Sequence, residues 1–308
     1  MATVDLLGSF IGNTRQVTWL ERAIATGQVS HAYLITGPSQ IGKRTLTLAF
    51  AQAIQCAARA ETVGRACGEC VACRKVEHGN HPDVLHVELP KDKAHYSIEQ
   101  IRELIEDVAL KPTEGRKRIF IVPDADLLTL PALQSSLKVL EEPPPNAMIM
   151  LTCVSTDLLL PTIISRCQQV PLQPVAPAEL AAALAARGDT DAAHARDLAT
   201  LSGGRPGWAI DALEQPEALE ERRQLLRDLA TLTHVGRAER ITAAGTHATN
   251  KESAQRVIEL WLPWWRDVAL TAYGAGDLIR HGDDRAAITA QAQQWGPHAA
   301  ETFVRALG

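Results

Sequence analysis

The chain has 308 residues, of which 46% are hydrophobic and 22% are charged, and its formal net charge is −5. This length allows two or three domains with buried cores, and the acidic balance argues against a protein that coats nucleic acid. The sequence has no apolar run of about 18 residues and no basic-then-apolar segment near its start. We therefore expect a soluble, cytoplasmic protein without a membrane span.

The first predicted strand and helix enclose a glycine-rich loop. Tyr33–Thr36 is a short apolar run, the next eight residues read Gly-Pro-Ser-Gln-Ile-Gly-Lys-Arg, and a helical pattern follows over Lys43–Cys56. Strand, G-x-x-x-x-G-K loop and helix in this order are typical of a phosphate-binding loop, or P-loop. In such a loop the backbone N–H groups near Gly37 and Gly42 and the lysine ammonium bind phosphate.

The loop lacks the hydroxyl that normally binds Mg²⁺. The P-loop pattern places Ser or Thr directly after the lysine, but here Arg44 follows Lys43. Thr45 comes one residue later, and because each helical residue turns by about 100°, its hydroxyl faces away from the ligand position. The sequence predicts a site that can bind ATP or ADP through Gly37, Gly42, Lys43, Arg44 and Thr45, and at which Mg²⁺ is not expected.

Four cysteines stand at a spacing typical of a metal site. Ten residues separate the first two and two residues separate each later pair, the four being Cys56, Cys67, Cys70 and Cys73. Four thiolates complete a tetrahedral structural Zn²⁺ site and leave no open position for catalysis, so we expect a zinc module over about residues 56–73. His78 and His81 lie nearby and are expected to be surface or turn residues. The clustering disfavours the alternative of unrelated reduced thiols.

Apolar strands alternate with helices after the cysteines. The predicted strands are Val84–Val87, Ile119–Val122, Met148–Thr152 and Gln168–Leu172. One intervening helix starts at a capping box at Ser97, and another, Ala132–Leu140, ends before a run of three prolines. Strands that are apolar on both faces and alternate with helices predict an α/β fold with a mostly parallel sheet covered on each side.

The strand Ile119–Val122 lacks the acidic residue that usually completes a P-loop site. Pro123 takes the first position after the strand, where an Asp that organises Mg²⁺ is expected, and Asp124 and Asp126 follow it. We interpret both aspartates as solvated or capping residues of a turn, with a shifted register that brings Asp124 into the site as the alternative. Arg44 and Pro123 together favour a degenerate nucleotide site.

The alternation of strand and helix patterns ends near Pro174, and only helical patterns occur after it. We predict three domains: an α/β P-loop domain over 1–173, a small helical domain over 174–212, and a longer helical domain over 213–308. Five of the six tryptophans lie beyond residue 200, and we expect large aromatic residues on helices to fill a helix–helix core or interface. They are Trp208, Trp261, Trp264, Trp265 and Trp295.

Several of these segments together resemble the clamp-loader subunits of bacterial DNA polymerase III, in the AAA+ group. The resemblance covers most of residues 1–172, and the helical remainder is similar to the family's lid and collar domains in length and position. The segments that carry it are His31–Pro38 with Gly42 and Lys43, the four cysteines, His81–Asp83, Leu137–Pro144, Ser165–Cys167 and, in the helical part, Trp265–Asp267. The gap between the first two cysteines is slightly longer than the family's usual one.

The resemblance implies a subunit that does not itself hydrolyse ATP. The family's motor members, gamma and tau, have a hydroxyl after the P-loop lysine, Asp-Glu after the strand, and a sensor arginine in the lid. This chain has Arg44, Pro123-Asp124 and Gly207 at those positions, with Arg205 as a displaced arginine. The pattern resembles the delta-prime members, whose role is that of a non-catalytic stator in the polymerase III holoenzyme.

The same resemblance assigns a role in trans to Arg166. In a ring of P-loop subunits an arginine at this place completes the ATP site of a neighbour, so Arg166 would act on a motor subunit. The implied partners are gamma/tau and delta subunits, and the sliding clamp and primed DNA are reached through the complex.

Two other functions stay open on the sequence alone. An active gamma/tau-type ATPase would need Thr45 or Asp124 to replace the missing ligands. A zinc-module nucleic-acid binder unrelated to replication would rest on the cysteines alone, and the absence of interleaved basic and aromatic residues around them disfavours it.

Overall fold

The structure is a computed structural model that describes residues 9–58, 64–90, 93–188, 190–232 and 235–307. These residues group into two units: the first runs up to Ala176 and includes Arg205–Gly207, and the second contains Pro177–Gly204 and the chain from Trp208 onward. No helix in these ranges is long and apolar enough to cross a membrane. The division of the helical part at residues 212 and 213 stays a prediction.

The first unit is built on a five-stranded parallel sheet. Its strands are β1 (Ala32–Thr36), β2 (Val84–His86), β3 (Arg118–Val122), β4 (Ala147–Cys153) and β5 (Gln168–Pro171). They lie in the order β2-β3-β4-β1-β5, and every neighbouring pair is parallel. Each predicted strand is confirmed to within one residue at either end. Because all strands run the same way, their carboxyl ends share one edge of the sheet, where the P-loop follows β1.

Helices cover both faces of this sheet. They are α1 (Thr14–Ala25), α2 (Lys43–Gln55), α3 (Val71–Glu77), α4 (Ile98–Val108), α5 (Leu130–Glu141) and α6 (Pro161–Ile164). Successive residues of a strand point to opposite faces: Tyr33 and Ile35 of β1 join the core with α1, α2 and α3, whereas Ala32 and Leu34 join the core with α4, α5 and α6. The predicted α/β fold with a covered parallel sheet is therefore confirmed.

Local sequence signals set the ends of two of these helices. The Oγ of Ser97 accepts a hydrogen bond from the Gln100 N–H, and the Gln100 side chain accepts one from the Ser97 N–H, which is the predicted capping box of α4. Helix α5 ends at Glu141, just before Pro143–Pro145, because proline cannot donate the hydrogen bond that would continue the helix.

A buried carboxylate at the start of β2 holds the loop that precedes β3. Asp83 is fully buried, and its side chain accepts hydrogen bonds from the N–H groups of Thr113, Glu114 and Gly115 at 2.7, 2.9 and 2.6 Å. An Arg118 guanidinium nitrogen lies 3.6 Å from the same carboxylate. Burial raises the pKa of Asp83, but the three N–H groups outweigh it and hold the pKa below its ordinary value. The His81–Asp83 segment thus has a structural role.

We expect Asp83→Asn to lower the free energy of unfolding by about 3 kcal/mol at pH 7, since it removes one partner of a buried charged network. A depressed pKa in the folded state stabilises the fold above the unfolded pKa near 4 and is lost as pH falls through the folded value. The gap between wild type and variant should therefore close below about pH 4, as measured by urea unfolding across a pH series. Asp107→Asn, which loses only a half-exposed contact to Arg118, is the matched control and should cost at most about 1 kcal/mol; equal losses for both variants would contradict the assignment.

The second unit is helical throughout the described residues. Its helices are α7 (Pro177–Ala186), α8 (Ala192–Leu201), α9 (Pro206–Glu214, which starts in the first unit), α10 (Pro216–Thr231), α11 (Arg237–His247), α12 (Lys251–Ala272) and α13 (Arg285–Leu307). Helices α12 and α13 enclose the aromatic core predicted from the tryptophans. Trp265 is buried and stacks on Phe303 with ring centroids 4.1 Å apart, and Trp295 meets both rings edge-on.

The Trp265–Asp267 segment also fixes the chain after α12. Asp267 is fully buried and accepts hydrogen bonds from the backbone N–H groups of Arg280 and His281 and from the His281 ring. Buried charges need such partners, so this segment serves the packing of the helical unit.

Candidate functional site

The P-loop joins β1 to α2 at the carboxyl edge of the sheet. Gly42 caps α2 with φ at 103°, a left-handed conformation that glycine adopts without strain. A Cβ added at Gly42 would lie 2.9 Å from the Phe10 ring, so this ring packs closely against the first turn of α2. Sequence reasoning did not single out Phe10, which stands far from the loop in the chain.

Lys43 binds the loop's own backbone. Its ammonium donates to the carbonyl oxygens of Gly37 and Pro38 at 2.8 and 3.1 Å, and only 8% of the residue is exposed. Burial lowers the pKa of Lys43, and the negative charges of Asp124 and Asp126 act against that shift. The lysine is thus held inside the loop, with carboxylates as its charged neighbours.

The two aspartates after β3 belong to this charged group. Partial burial raises the pKa of Asp124, and the charge of Lys43 opposes the rise. Asp124 has left-handed backbone angles, and its N–H donates to the Thr152 hydroxyl at 3.1 Å. One carboxylate oxygen of Asp126 is buried without a hydrogen-bond partner among the described residues. Both aspartates therefore lie within electrostatic reach of the lysine.

Arg44 directly follows Lys43, at the position where the P-loop pattern has Ser or Thr. It is exposed on the first turn of α2. Burial lowers the pKa of His86 at the end of β2, and the positive charge of Arg44 lowers it further. Thr45 is exposed one residue further along. The Thr47 hydroxyl is buried and donates to the Arg44 carbonyl at 2.8 Å, so it is not available to an ion.

The segment Arg205–Gly207 closes against the P-loop within the first unit. The Gly207 N–H donates to the Gln40 carbonyl at 2.9 Å, and a Cβ added at Gly207 would lie 2.8 Å from that oxygen. A side chain at residue 207 would therefore push the two segments apart. Arg205, the predicted displaced arginine, is half-buried in the same segment.

Arg166 lies just before β5, half-exposed, and both ends of its guanidinium have partners in this chain. One terminal nitrogen, Nη2, lies 2.7 Å from Glu141 Oε1, and Nη1 donates to the Thr162 carbonyl at 2.8 Å. The predicted segments Leu137–Pro144 and Ser165–Cys167 thus meet at an ion pair that sequence reasoning missed. The only signal for it is that both segments contribute to the same family resemblance.

The four predicted cysteines come together in one cluster. Their sulfur atoms all lie within 4.8 Å of one another, and those of Cys67 and Cys73 are 3.9 Å apart. Four thiolates about 2.3 Å from a zinc ion have sulfur–sulfur edges of about 3.8 Å, so the cluster fits a tetrahedral metal. His78 and His81 are not part of this cluster among the described residues.

Backbone N–H groups orient the sulfur atoms. The N–H of Cys67 donates to the Cys56 sulfur at 3.3 Å, and those of Cys70 and Cys73 donate to the preceding cysteine's sulfur at 3.4 Å. Burial raises the pKa of Cys70, but N–H groups of Ala57 and Cys73 outweigh it and lower the pKa to about 7. Burial raises the pKa of the Cys56 and Cys73 thiols, so it is the close approach of the four sulfur atoms that makes this donor set suit a metal.

One family model matches a segment of the chain that ends, like the main segment of the first unit, at Ala176. The family described as "DNA polymerase III, delta subunit" matches residues 12–176, which is more than half of the chain. DNA polymerase III subunit delta' of Pseudomonas aeruginosa is 33% identical over 71% of this chain, and that of Bacillus subtilis is 33% identical over 69%. The chain covers 66% and 63% of those two relatives, just under two thirds of their length.

Weaker similarities are found to a tau/gamma subunit and to a solved structure. Subunit tau/gamma of Haemophilus influenzae is 29% identical over 53% of this chain and 23% of its own length. Among solved structures, the RuvB Holliday junction branch migration motor of Thermotoga maritima is 16% identical with a TM-score of 0.47, covering 95% of this chain and 90% of that one. The family match and the two delta' relatives decide the assignment: the chain belongs to the delta-prime family of DNA polymerase III subunits.

Proposed function

We propose that this protein is the stator subunit of a DNA polymerase III clamp loader, a non-catalytic member that supports ATP-driven loading of the sliding clamp onto primed DNA. The observation that carries the proposal is Arg44, which stands exposed on the first turn of α2 where a hydroxyl ligand of Mg²⁺ is needed. Pro123 in place of the metal-organising Asp and the contact of Gly207 with Gln40 support it. In this proposal Arg44 replaces the hydroxyl ligand of Mg²⁺, Pro123 replaces the acidic residue after the strand, and Gly207 replaces the sensor arginine.

In this proposal the chain binds nucleotide at its own P-loop, whereas the reaction that it assists takes place at the ATP site of a neighbouring subunit. ATP or ADP binds through Gly37, Gly42, Lys43, Arg44 and Thr45 without Mg²⁺, which requires Lys43 to leave the loop carbonyls that it now contacts. Arg166 supplies the chemistry as an arginine finger on the ATP site of the neighbouring motor subunit.

The proposal extends to the metal and to the domains. The four cysteines hold a structural Zn²⁺, which would fix the turns between α2 and α3 and leaves no coordination position for a substrate. The helical part provides a lid over residues 174–212 and a collar over 213–308, through which the subunit joins gamma/tau and delta subunits in the cytoplasm. The clamp and DNA are contacted through the assembled complex.

Assembly with the partner subunits is the direct test. Tagged chain mixed with delta and gamma/tau subunits of the same organism should elute with them as one complex in gel filtration. The same mixture without gamma/tau is the control for the order of assembly. A chain that elutes alone from the full mixture would contradict the proposed function.

One observation favours an active ATPase of the gamma/tau type as the second candidate: Asp124 and Asp126 lie within electrostatic reach of Lys43. The two candidates differ in the turnover of the isolated chain. The stator proposal predicts no steady Mg²⁺-dependent ATP hydrolysis above the level of Lys43→Ala. Turnover that depends on Mg²⁺ and is abolished by Lys43→Ala would instead identify a motor.

A further inference from the structure

Arg166 is held by two different elements of the first unit. Its Nη2 contacts Glu141, the last residue of α5, over 2.7 Å, and its Nη1 donates to the carbonyl of Thr162 in α6 over 2.8 Å. Both side chains are partly exposed, Arg166 by 34% and Glu141 by 48%. The pair therefore lies at the surface, where a neighbouring subunit can reach it.

The carboxylate that holds the arginine stands on a fixed part of the chain. Nε2 of His31, directly before β1, donates to the carbonyl oxygen of Leu140 over 3.2 Å and so ties the end of α5 to the start of β1. Three prolines, Pro143–Pro145, follow and restrict the backbone on the other side. The backbone at Glu141 is consequently restrained on both sides, which fixes the point from which its carboxylate reaches Arg166.

The geometry leaves donors of Arg166 free for a phosphate. A guanidinium has five N–H donors in one plane, and Glu141 and Thr162 each take one from the two terminal nitrogens. An unrestrained arginine samples many rotamers, and fixing it before the reaction removes an entropic cost from the transition state. A carboxylate that orients the guanidinium in advance would therefore raise the rate of the reaction that the arginine assists.

We propose that Glu141 is a positioning residue that orients Arg166 toward the ATP site of the neighbouring subunit. The proposal rests on the trans role of Arg166 in the proposed function. Glu141 does not touch the nucleotide; it acts only through the arginine.

A double-mutant cycle in the reconstituted complex tests this proposal. Glu141→Ala should lower kcat for ATP about tenfold with little change in KM, because the arginine is misplaced and not removed. Glu141→Gln keeps an oxygen that accepts from Nη2 and should recover most of the rate. In an Arg166→Ala background, Glu141→Ala should have no further effect, since a residue that acts only through the arginine has nothing left to position.

Glu142→Ala is the matched control. Glu142 is the next residue, is also exposed, and its side chain has no ion pair or hydrogen bond within the described part of the chain, so this variant should keep the wild-type rate. If Arg166→Ala lowers the rate but Glu141→Ala behaves like Glu142→Ala, the positioning role is wrong. An equal loss from Glu141→Ala with and without Arg166 would also overturn it. An unchanged rate for Arg166→Ala would instead refute the trans role itself, and the positioning role with it.

Discussion

Replacing Arg166 by Ala is expected to leave the chain folded and the complex assembled while ATP turnover at the neighbouring site falls about a thousandfold or more. Arginine fingers supplied in trans contribute about 10³ to 10⁵ in kcat, because they stabilise the charge that develops on the transferred phosphoryl group. The steady-state rate of the whole complex should fall by the share that this one site contributes. Single-turnover hydrolysis in the complex measures the site directly.

The fold should tolerate this substitution. The residue is half-exposed and its ion pair with Glu141 lies at the surface, and such pairs stabilise proteins by at most about 1 kcal/mol. Thermal unfolding of the isolated variant should therefore match wild type to within a few degrees.

Two further variants separate the guanidinium from its charge. Arg166→Lys keeps a positive charge but loses the planar fork of donors, so only a minor part of the rate should return. Arg102→Ala, on the exposed face of α4, removes the same charge elsewhere on the first unit and should have no effect. Wild-type turnover by the Arg166→Ala complex would show that the arginine does not act in trans.

The three inner strands of the sheet, β3, β4 and β1, could be predicted from the sequence because they are apolar on both faces. Ile119–Val122 and Met148–Leu151 are continuous apolar runs, and β3 extends its predicted strand by one residue at the start, whereas β4 extends the predicted Met148–Thr152 by one residue at each end. Strong local signals also set the start of α4 and the end of α5. Apolar periodicity, capping residues and prolines are enough to predict the bounds of these elements without knowledge of tertiary contacts.

The last helix shows where local patterns were insufficient. Helix α13 is interrupted at Gly296, which has φ at 68°, and Pro297 follows. Glycine and proline together mark a turn, yet helical residues continue on both sides because packing against α12 holds them. Tertiary contacts of this kind, which join Trp295 and Phe303 to Trp265, cannot be found from a single stretch of sequence.

The residues of the candidate site could be predicted from the sequence, but most contacts between residues from distant segments could not. The spacing of the cysteines was enough to predict one cluster, since four thiols within a short segment can meet without help from the rest of the fold. The contacts of Lys43 with its own loop, of Phe10 with Gly42, and of Arg166 with Glu141 depend on how distant segments pack. Such long-range contacts require the structure.

Removal of the metal should destabilise the first unit. With free zinc about a thousandfold above its dissociation constant, binding stabilises a fold by about 4 kcal/mol, which for a domain of this size is roughly 10 °C in Tm. We expect protein purified under reducing conditions to contain one zinc per chain. A strong chelator should then lower Tm by this amount, and readdition of zinc should restore it.

Cys73→Ser should abolish zinc binding, because it leaves three sulfur ligands at a site that needs four. Cys73 is fully buried and belongs to the core with α2, and the Gln52 amide donates to its carbonyl at 3.1 Å. Loss of the metal should thus loosen the packing of α3 on α2, which is measurable as faster amide hydrogen exchange over residues 64–78.

His78→Ala is the matched control for the zinc site. His78 is exposed, and its ring contacts the Arg74 carbonyl and not the sulfur cluster, so the variant should keep one zinc and the wild-type Tm. Zinc lost from His78→Ala but retained by Cys73→Ser would exclude the four-cysteine site. A chelator that removes the metal without any change in Tm or in hydrogen exchange would contradict a structural role for the site, because a metal bound by Cys56 at the end of α2 and Cys73 in α3 is expected to link the two helices.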